Sequence, residues 1–423
     1  MLWFLKILKL LFTNLAAQEA VSILLELMPR LSRSGLIESS SKSGHLYVVQ
    51  DSYTARVPAS ADPLTRARFS RFEGEHHVAP FFAARLTNVR LLGPYAIPIT
   101  RKGQIVVEPF GERWLRHVIR TTVAEMGLRG FLIQYMLALA PFSWIPGSQL
   151  SSAAHLIPRA SQEAGGAQFG HWICEQLPQL RGIEAVSKID RYEIPLLLNS
   201  NPTKWQVESL RLMGFEPSRL IANEWNGVRV KSLVVCSLRN VHSRGMEFDP
   251  KARNWVADRL RKRIEELPIG AKTEPLRYVL RQDQVSRRVK NTNPVESLLG
   301  SFGYVSMNPG LRGIEADMVE AHNVRVFVGV FGSGLINLMF ANQPQYLVEI
   351  FGPDQIDREV FFLLASELGV AHLSVDAKVG TGDIGDETLR GVTSPLLEVN
   401  LASLKLALRT IHSSLGTGLL YPN

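Results

Sequence analysis

Residues 324–352 read VRVFVGVFGSGLINLMFANQPQYLVEIFG. Val324, Val326, Val328 and Val330 make a β-branched apolar run that stops at the small-residue turn Gly332, Ser333, Gly334. A helical pattern follows (Leu335, Leu338, Met339), and then a second apolar run over 346–350. Strand, tight glycine turn, helix and strand make a βαβ unit, and the run lengths suit strands buried on both faces. Glycines let the backbone approach a ligand, and the helix start offers N–H groups to an anion. Taken alone, the same pattern also suits a turn that binds nothing.

The alternation continues on both sides. The pattern predicts strand 276–280, helix 293–301, strand 303–307, helix 313–322, strand 324–330, helix 335–341, strand 345–350, helix 355–368 and strand 370–375. Such alternation implies a doubly wound parallel sheet with ligands outside the strand C-termini. After strand 276–280 comes a basic loop, RQDQVSRRVKN, with Arg281, Arg287, Arg288 and Lys290. Guanidinium forks suit phosphate oxygens and keep their charge at any working pH, although a basic loop can also be merely solvated. Loop and glycine turn fall at the same sheet edge, which points to one phosphate-binding crevice. Glu349, closing the strand after the turn, is placed either to accept bonds from ribose hydroxyls or to hold a structural partner.

Upstream, the runs LYVVQ, VRLLG and QIVVEP read as strands, and 110–165 shows no clear pattern. A helix over 166–183, interrupted near Pro178, leads to strand 194–198, helix 204–213 and strand 228–237, so the first domain is also α/β. Its helix carries His171 and Glu175 four apart on one face, either a base with its orienting partner or a structural pair. A charged amphipathic helix over 251–267 leads into the second domain, and a last helix over 394–412 is expected to pack back across the first. Residues 30–44 read as a Ser-rich polar connection. In the opening MLWFLKILKLLFTNL, Lys6, Lys9 and Thr13 share one narrow helical face. The run is too short to span a bilayer. It reads as a helix in the membrane interface or as one packed on the protein's own core.

With 423 residues the chain suits two domains, and its 46% apolar and 20% charged content is that of a globular protein. The net charge of +8 favours an anionic partner, acidic lipid or a phosphorylated small molecule ahead of nucleic acid, for which no motif is present. Cys174 and Cys236 have neither metal spacing nor the number for a disulfide framework, which fits a reducing compartment. The sequence contains no Asp-x-Asp, no phosphate-loop motif, no nucleophile elbow and no metal-ligand pattern among its histidines.

Three motifs in order resemble glycosyltransferase family 61: H-W-x-x-E-x-x-P (His171, Trp172, Glu175, Pro178), R-x-D…S-R-R…N (Arg281, Asp283, Ser286, Arg287, Arg288, Asn291), and G-x-x-G-[AS]-G-L-x-N before a strand closing in Glu (Gly329, Gly332, Ser333, Gly334, Leu335, Asn337, Glu349). Between them, Gln206, Glu208, Ser209, Leu210 and Gly214 are similar to the family's Q-x-E-S-L-x-L-x-G helix. The resemblance covers about 170 to 352. It implies a GT-B-like architecture, two Rossmann-like domains facing a cleft with an N-terminal amphipathic extension. The corresponding division is 1–44, 45–267, 268–393 and a C-terminal helix over 394–423. The implied activity is inverting, metal-independent transfer of a sugar from a nucleotide sugar, UDP-linked, to a glycan or lipid-linked acceptor in surface or capsular polysaccharide synthesis. No cofactor beyond that donor is implied. The implied location is the cytoplasm, peripheral at the inner face of the cell membrane.

His171 or Glu175 is then the base. Arg281, Arg287, Arg288, Gly332, Ser333, Gly334, Asn337 and Glu349 are the donor-binding residues. Phe331 stands where the family has His. That departure keeps two alternatives open, a non-catalytic membrane-associated scaffold of the same fold and a sugar-nucleotide epimerase.

Overall fold

The computed structural model describes residues 26–139, 149–158, 169–224, 227–239, 248–266, 275–280, 288–353, 358–380, 388–389, 392–393 and 396–415. The chain divides into two compact units, one from 1–53 and 79–247, the other from 54–78 and 248–423. The expected apolar helix at the N-terminus, with Lys6, Lys9 and Thr13, lies outside the described residues. Among the described residues no helix is long and apolar enough to cross a membrane.

The first unit is built on a nine-stranded mixed sheet. Strands Gln149–His155, Leu196–Leu198, Leu220–Ala222 and Arg229–Cys236 form a parallel run within it. Arg229–Cys236 also runs antiparallel to the long strand Phe81–Leu92, which turns into antiparallel Ile97–Ile99. The expected Rossmann-like sheet is therefore only half present. The reason is local: the turn after Leu92, closed by Ala96 N–H donating to Gly93 O at 3.0 Å, is far too short for a parallel crossover.

Two segments differ from their sequence reading. Residues 33–42 of the polar connection form a helix. Ser32 caps it by accepting from Gly35 N–H at 3.3 Å, Ser39 and Ser43 bond back to carbonyls of the preceding turn, and Leu36 is fully buried. Serines that read as loop here satisfy a helix's own ends. The unreadable stretch holds the helix Glu112–Leu139, bent at Gly127 (φ +72°). Its buried Leu115, Val118, Ile119 and Val123 precede the bend, and Phe131, Leu132 and Tyr135 follow it. The mid-helix glycine divides what would otherwise be a continuous helical stripe.

The second unit follows the predicted alternation. Its six-stranded sheet contains β1 (Leu276–Val279), β2 (Val305–Ser306), β3 (Val326–Val330), β4 (Tyr346–Phe351), β5 (Ala371–Val379) and β6 (Leu397–Val399). Their spatial order is β2-β1-β3-β4-β5-β6, parallel throughout except that β6 runs against β5. Every residue of β3 is buried, as an uninterrupted Val/Phe run requires. One sheet face, with Val326, Val328, Val348, Ile350, Leu373 and Val375, packs against Val295 and Leu299 of helix Thr292–Ser301 and Leu404, Leu408 and Ile411 of helix Leu401–Leu415. The terminal helix thus packs on its own unit's sheet.

The boundary also moves upstream of the expected 267/268. Helix Pro250–Glu265 belongs to the second unit, and its buried Arg253 is ion-paired with buried Glu367 of helix Val360–Glu367. Asp249 caps that first helix through Ala252 N–H at 3.0 Å, while its own N–H donates to Glu367 at 2.9 Å. An inserted segment joins them. Strands Tyr53–Val57 and Gly74–Val78 flank helix Pro63–Phe69, and most of this excursion belongs to the second unit. Phe69 is fully buried, with its ring stacked on Phe362 at 5.0 Å. Local periodicity carries no record of which unit a helix joins.

Replacing Phe69 with Ala should destabilise the second unit by about 3–5 kcal/mol, the usual cost of emptying an aromatic site. Urea unfolding measures it. A loss under about 1 kcal/mol would mean that the inserted helix is a surface appendage.

Candidate active site

The strand order places β1 beside β3, while the chain leaves β1 toward β2 and leaves β3 toward β4. This is a topological switch point, where a doubly wound sheet opens a crevice at its C-terminal edge. The loop after β1 and the turn after β3 both start there.

Close contact seats the turn. A Cβ on Gly334 would lie 2.8 Å from Val279 Cγ1, and one on Gly329 would lie 2.8 Å from Leu335 Cδ2 and 2.9 Å from the Val279 carbonyl oxygen. Only glycine permits this approach to the end of β1. Gly332 is extended (φ 163°), and Ser333–Phe340 form a 3₁₀ helix rather than the expected α-helix, opened by Leu335 N–H donating to Gly332 O at 3.0 Å. Ser333 is exposed at the edge. Asn337 is fully buried and donates from Nδ2 to Gly334 O at 2.8 Å. Its Oδ1 has no hydrogen-bond partner among the described residues. An unsatisfied buried acceptor costs about 1–3 kcal/mol, so a donor at this position would stabilise the turn.

Of the basic loop, Arg281 and Arg287 lie outside the described residues. Arg288 is held by its backbone, whose carbonyl accepts from Leu397 N–H at 2.8 Å, and Lys290 N–H donates to Leu397 O at 2.7 Å. Asn291 completes the anchor. Its amide donates to Val399 O and accepts from Val399 N–H, both at 2.9 Å, imitating a strand partner. The loop that begins at β1 is therefore tied at its far end to β6, and the asparagine of the motif does that tying.

Glu349 has a structural partner, one of its two expected roles. It is fully buried, and its Oε2 shares a 2.8 Å hydrogen bond with His372 Nε2. Thr65 Oγ1, on the inserted helix, reaches Ser374 Oγ at 3.0 Å, the His372 carbonyl at 3.2 Å and His372 Nδ1 at 3.3 Å. Burial pushes the Glu349 carboxyl well above its ordinary range, with the nearby Arg68 charge opposing. Burial, reinforced by Arg68, pushes His372 down to about 3. Burial disfavours the charged form of both partners, and their bond works as a polar pin between β4 and β5. The strand's closing residue is instead Phe351, beneath the Arg68 guanidinium at 4.8 Å.

In the first unit, the segment Phe169–Gln176 includes a π turn, Trp172–Gln176, closed by Leu177 N–H donating to Trp172 O at 3.0 Å. Pro178, with no N–H to continue the α-ladder, follows directly. This places His171 Nδ1 2.8 Å from Glu175 Oε1, with both side chains buried. Trp172 Nε1 donates to Ser209 Oγ at 2.8 Å, so the H-W-x-x-E motif and the Q-x-E-S-L helix meet. Gln206 of that helix makes a capping box with Thr203.

Phe331 is buried, its ring 5.4 Å from that of Phe361 in an edge contact. The exposed Arg358 guanidinium sits over Phe331 at 5.6 Å. A single arginine in the PDQIDREV stretch gives no local signal, and it can be found only once β3 and β4 are known to be neighbours. Among the described residues no group of three or more His, Cys, Asp or Glu could hold a metal ion.

The loop after β2 passes beside the glycine turn. Gly310 N–H donates to Asp317 Oδ2 at 2.7 Å, and Pro309 Cγ would lie 3.9 Å from a Cβ on Gly334. Burial raises Asp317 to about 6, partly offset by the Gly310 bond. Because the folded acid holds its proton more tightly than the unfolded one, ionisation penalises the folded state. The penalty grows as pH rises from about 4 to about 6 and is then constant. Asp317→Asn retains an acceptor for Gly310 and should remove this pH-dependent component. Denaturant unfolding of both proteins from pH 4 to 7 should show the variant gaining relative stability as pH rises. A constant difference would refute the assignment.

No curated protein matches the chain. The family model for glycosyltransferase 61 matches residues 169–348, a stretch that takes in His171, Glu175, the basic loop and the glycine turn and stops one residue before Glu349. Over that stretch the chain resembles glycosyltransferase family 61, and the match supports glycosyl transfer as its class of activity.

Proposed function

We propose that the protein is a GT-B-type glycosyltransferase moving a sugar from a nucleotide sugar to a glycan or lipid-linked acceptor, with inversion and without a metal. The observation that carries this reading is the switch point of β1 and β3, floored by a turn that only glycine allows. The second unit binds the donor. Arg281, Arg287 and Arg288, with the N–H groups near Gly332, Ser333 and Gly334, take up the negative charge that develops on the departing nucleoside diphosphate. Asn337 Oδ1 offers these donors' neighbourhood one further acceptor. Glu349 supports β4 through its Oε2 bond to His372.

The first unit supplies the base. With Nδ1–H donated to the Glu175 carboxylate, the His171 imidazole is fixed with Nε2 as its basic nitrogen. It removes the proton of the acceptor hydroxyl as that oxygen bonds to the anomeric carbon. The bond from that carbon to the diphosphate oxygen breaks, and its electron pair leaves with the nucleotide. Glu175 stabilises the imidazolium. The arginines neutralise the leaving group in the role a divalent cation fills elsewhere.

His171→Ala should lower kcat about 10²–10⁴-fold with donor binding retained, and Glu175→Gln by less. Turnover should persist in excess chelator. Steady-state kinetics with a panel of UDP-sugars tests both, and activity restored to a chelated enzyme by magnesium or manganese would overturn the metal-independent mechanism.

The acceptor chemistry proposed here, a lipid-linked glycan of surface polysaccharide synthesis, is served by attachment to the inner face of a membrane. The stretch MLWFLKILKLLF supplies apolar area, and Lys6 and Lys9 each add about 1 kcal/mol of attraction near acidic headgroups. Sedimentation with anionic vesicles should retain the intact chain and release one lacking residues 1–15. Equal behaviour of the two on vesicles would rule out this anchor.

A further inference from the structure

We infer that Arg358, carried on the ring of Phe331, supplies a cation to the diphosphate of the bound nucleotide. This rests on the reading of the switch-point crevice as the donor site. Phe331 is the residue between β3 and the glycine turn, and its own N–H donates to Ile350 O of β4 at 3.0 Å. Its ring is therefore fixed at the C-terminal edge of the sheet, next to Gly332. Phe361, at the start of helix Val360–Glu367, packs edge-on against the ring at 5.4 Å, and Phe351 lies 6.5 Å away. Together they close one side of an aromatic platform.

Arg358 covers the open side. It follows β4 and precedes that helix by two residues, so the helix start sets its backbone position. Its guanidinium centre lies 5.6 Å from the Phe331 centroid, while the residue as a whole is exposed. An arginine held over a ring retains its in-plane N–H groups for oxygen acceptors, with less side-chain freedom to lose on binding them. Two neighbouring parallel strands thus contribute to one edge, β3 through the turn and β4 through this arginine. A diphosphate over the turn presents anionic oxygens to this guanidinium, whereas a nucleoside carries none.

Phe331 thereby has a function suited to its chemistry. An apolar ring at the mouth of an anion site is out of place on its own, but as the support of a guanidinium it positions a charge. Arg358 is a binding residue, and Phe331 is a positioning residue acting through it.

Calorimetric titration of the full-length protein with UDP, GDP, uridine and guanosine tests this. Arg358→Ala should weaken the diphosphate that the wild type binds by about ten- to a hundredfold, the range for a charge-assisted hydrogen bond. Affinity for the matching nucleoside should be unchanged. Phe331→Leu, which keeps apolar volume and removes the ring, should give a smaller loss confined to the diphosphate, and Arg358→Lys should recover part of the loss. If Arg358→Ala binds the diphosphate as the wild type does, Arg358 has no such role while the donor-site reading stands. An equal loss for nucleoside and diphosphate would also overturn the inference. A wild-type protein that binds neither UDP nor GDP overturns both.

Discussion

The contact of two glycines with Val279 is the constraint on which the second unit's site depends. Gly329 lies within β3 and Gly334 in the turn beyond it, and a Cβ on either would meet atoms at 2.8 Å. Because neither has one, β3 and its turn press against the end of β1, and the backbone of the turn comes to the switch point without side chains in the way. From that contact follow the exposure of Ser333, the tether of Asn337 to Gly334 and the placing of Phe331 at the rim. A methyl group at either position would move the floor of the crevice by several tenths of an ångström at least, and with it the relation of three strand ends.

Around this floor the sheet is stiffened by polar groups that burial has driven toward neutrality. Glu349 and His372 exchange a hydrogen bond in the interior of the β4/β5 pair, under a helix that supplies Thr65. Such a pair adds direction without a net buried charge, and removing either member would leave the other unsatisfied. Arg253 and Glu367 join two helices as an ion pair, in which burial raises the carboxyl to about 7 against the pull of the arginine. These contacts specify how the helices seat on the sheet, and hence where the loops at its edge begin.

What could be read from the residues, and what could not, divides along the range of the interaction. Val326–Val330, the glycine turn and Tyr346–Phe351 are set by neighbours in sequence, and the alternation over 276–375 recovers the parallel sheet. Helix Glu112–Leu139 escaped because Gly127 breaks its stripe, and helix Arg33–Lys42 because its serines serve as caps. The role of Glu349 depends on His372 and Thr65, 23 and 284 positions away in the chain. The pairing of Phe331 with Arg358 depends on strand adjacency. The anchoring of Asn291 to Val399 depends on an antiparallel strand that the pattern did not announce. Local chemistry marked the turn and the arginines, and tertiary contacts decided which neighbouring groups support them.

The excursion of residues 54–78 into the second unit has a consequence for biosynthesis. The chain passes between units near 53, 78 and 247, so neither unit is a contiguous stretch of polypeptide. Helix Pro63–Phe69 is made early, yet the strand that receives it ends only at Val379. Some 300 residues separate Phe69 from His372, and at about 5–20 residues per second the helix waits on the order of 15–60 s for its site. Throughout that interval Phe69 lacks its partners Phe351, Phe362 and His372 from the second unit. The segment that completes the sheet's second face is also the one that makes its synthesis hazardous.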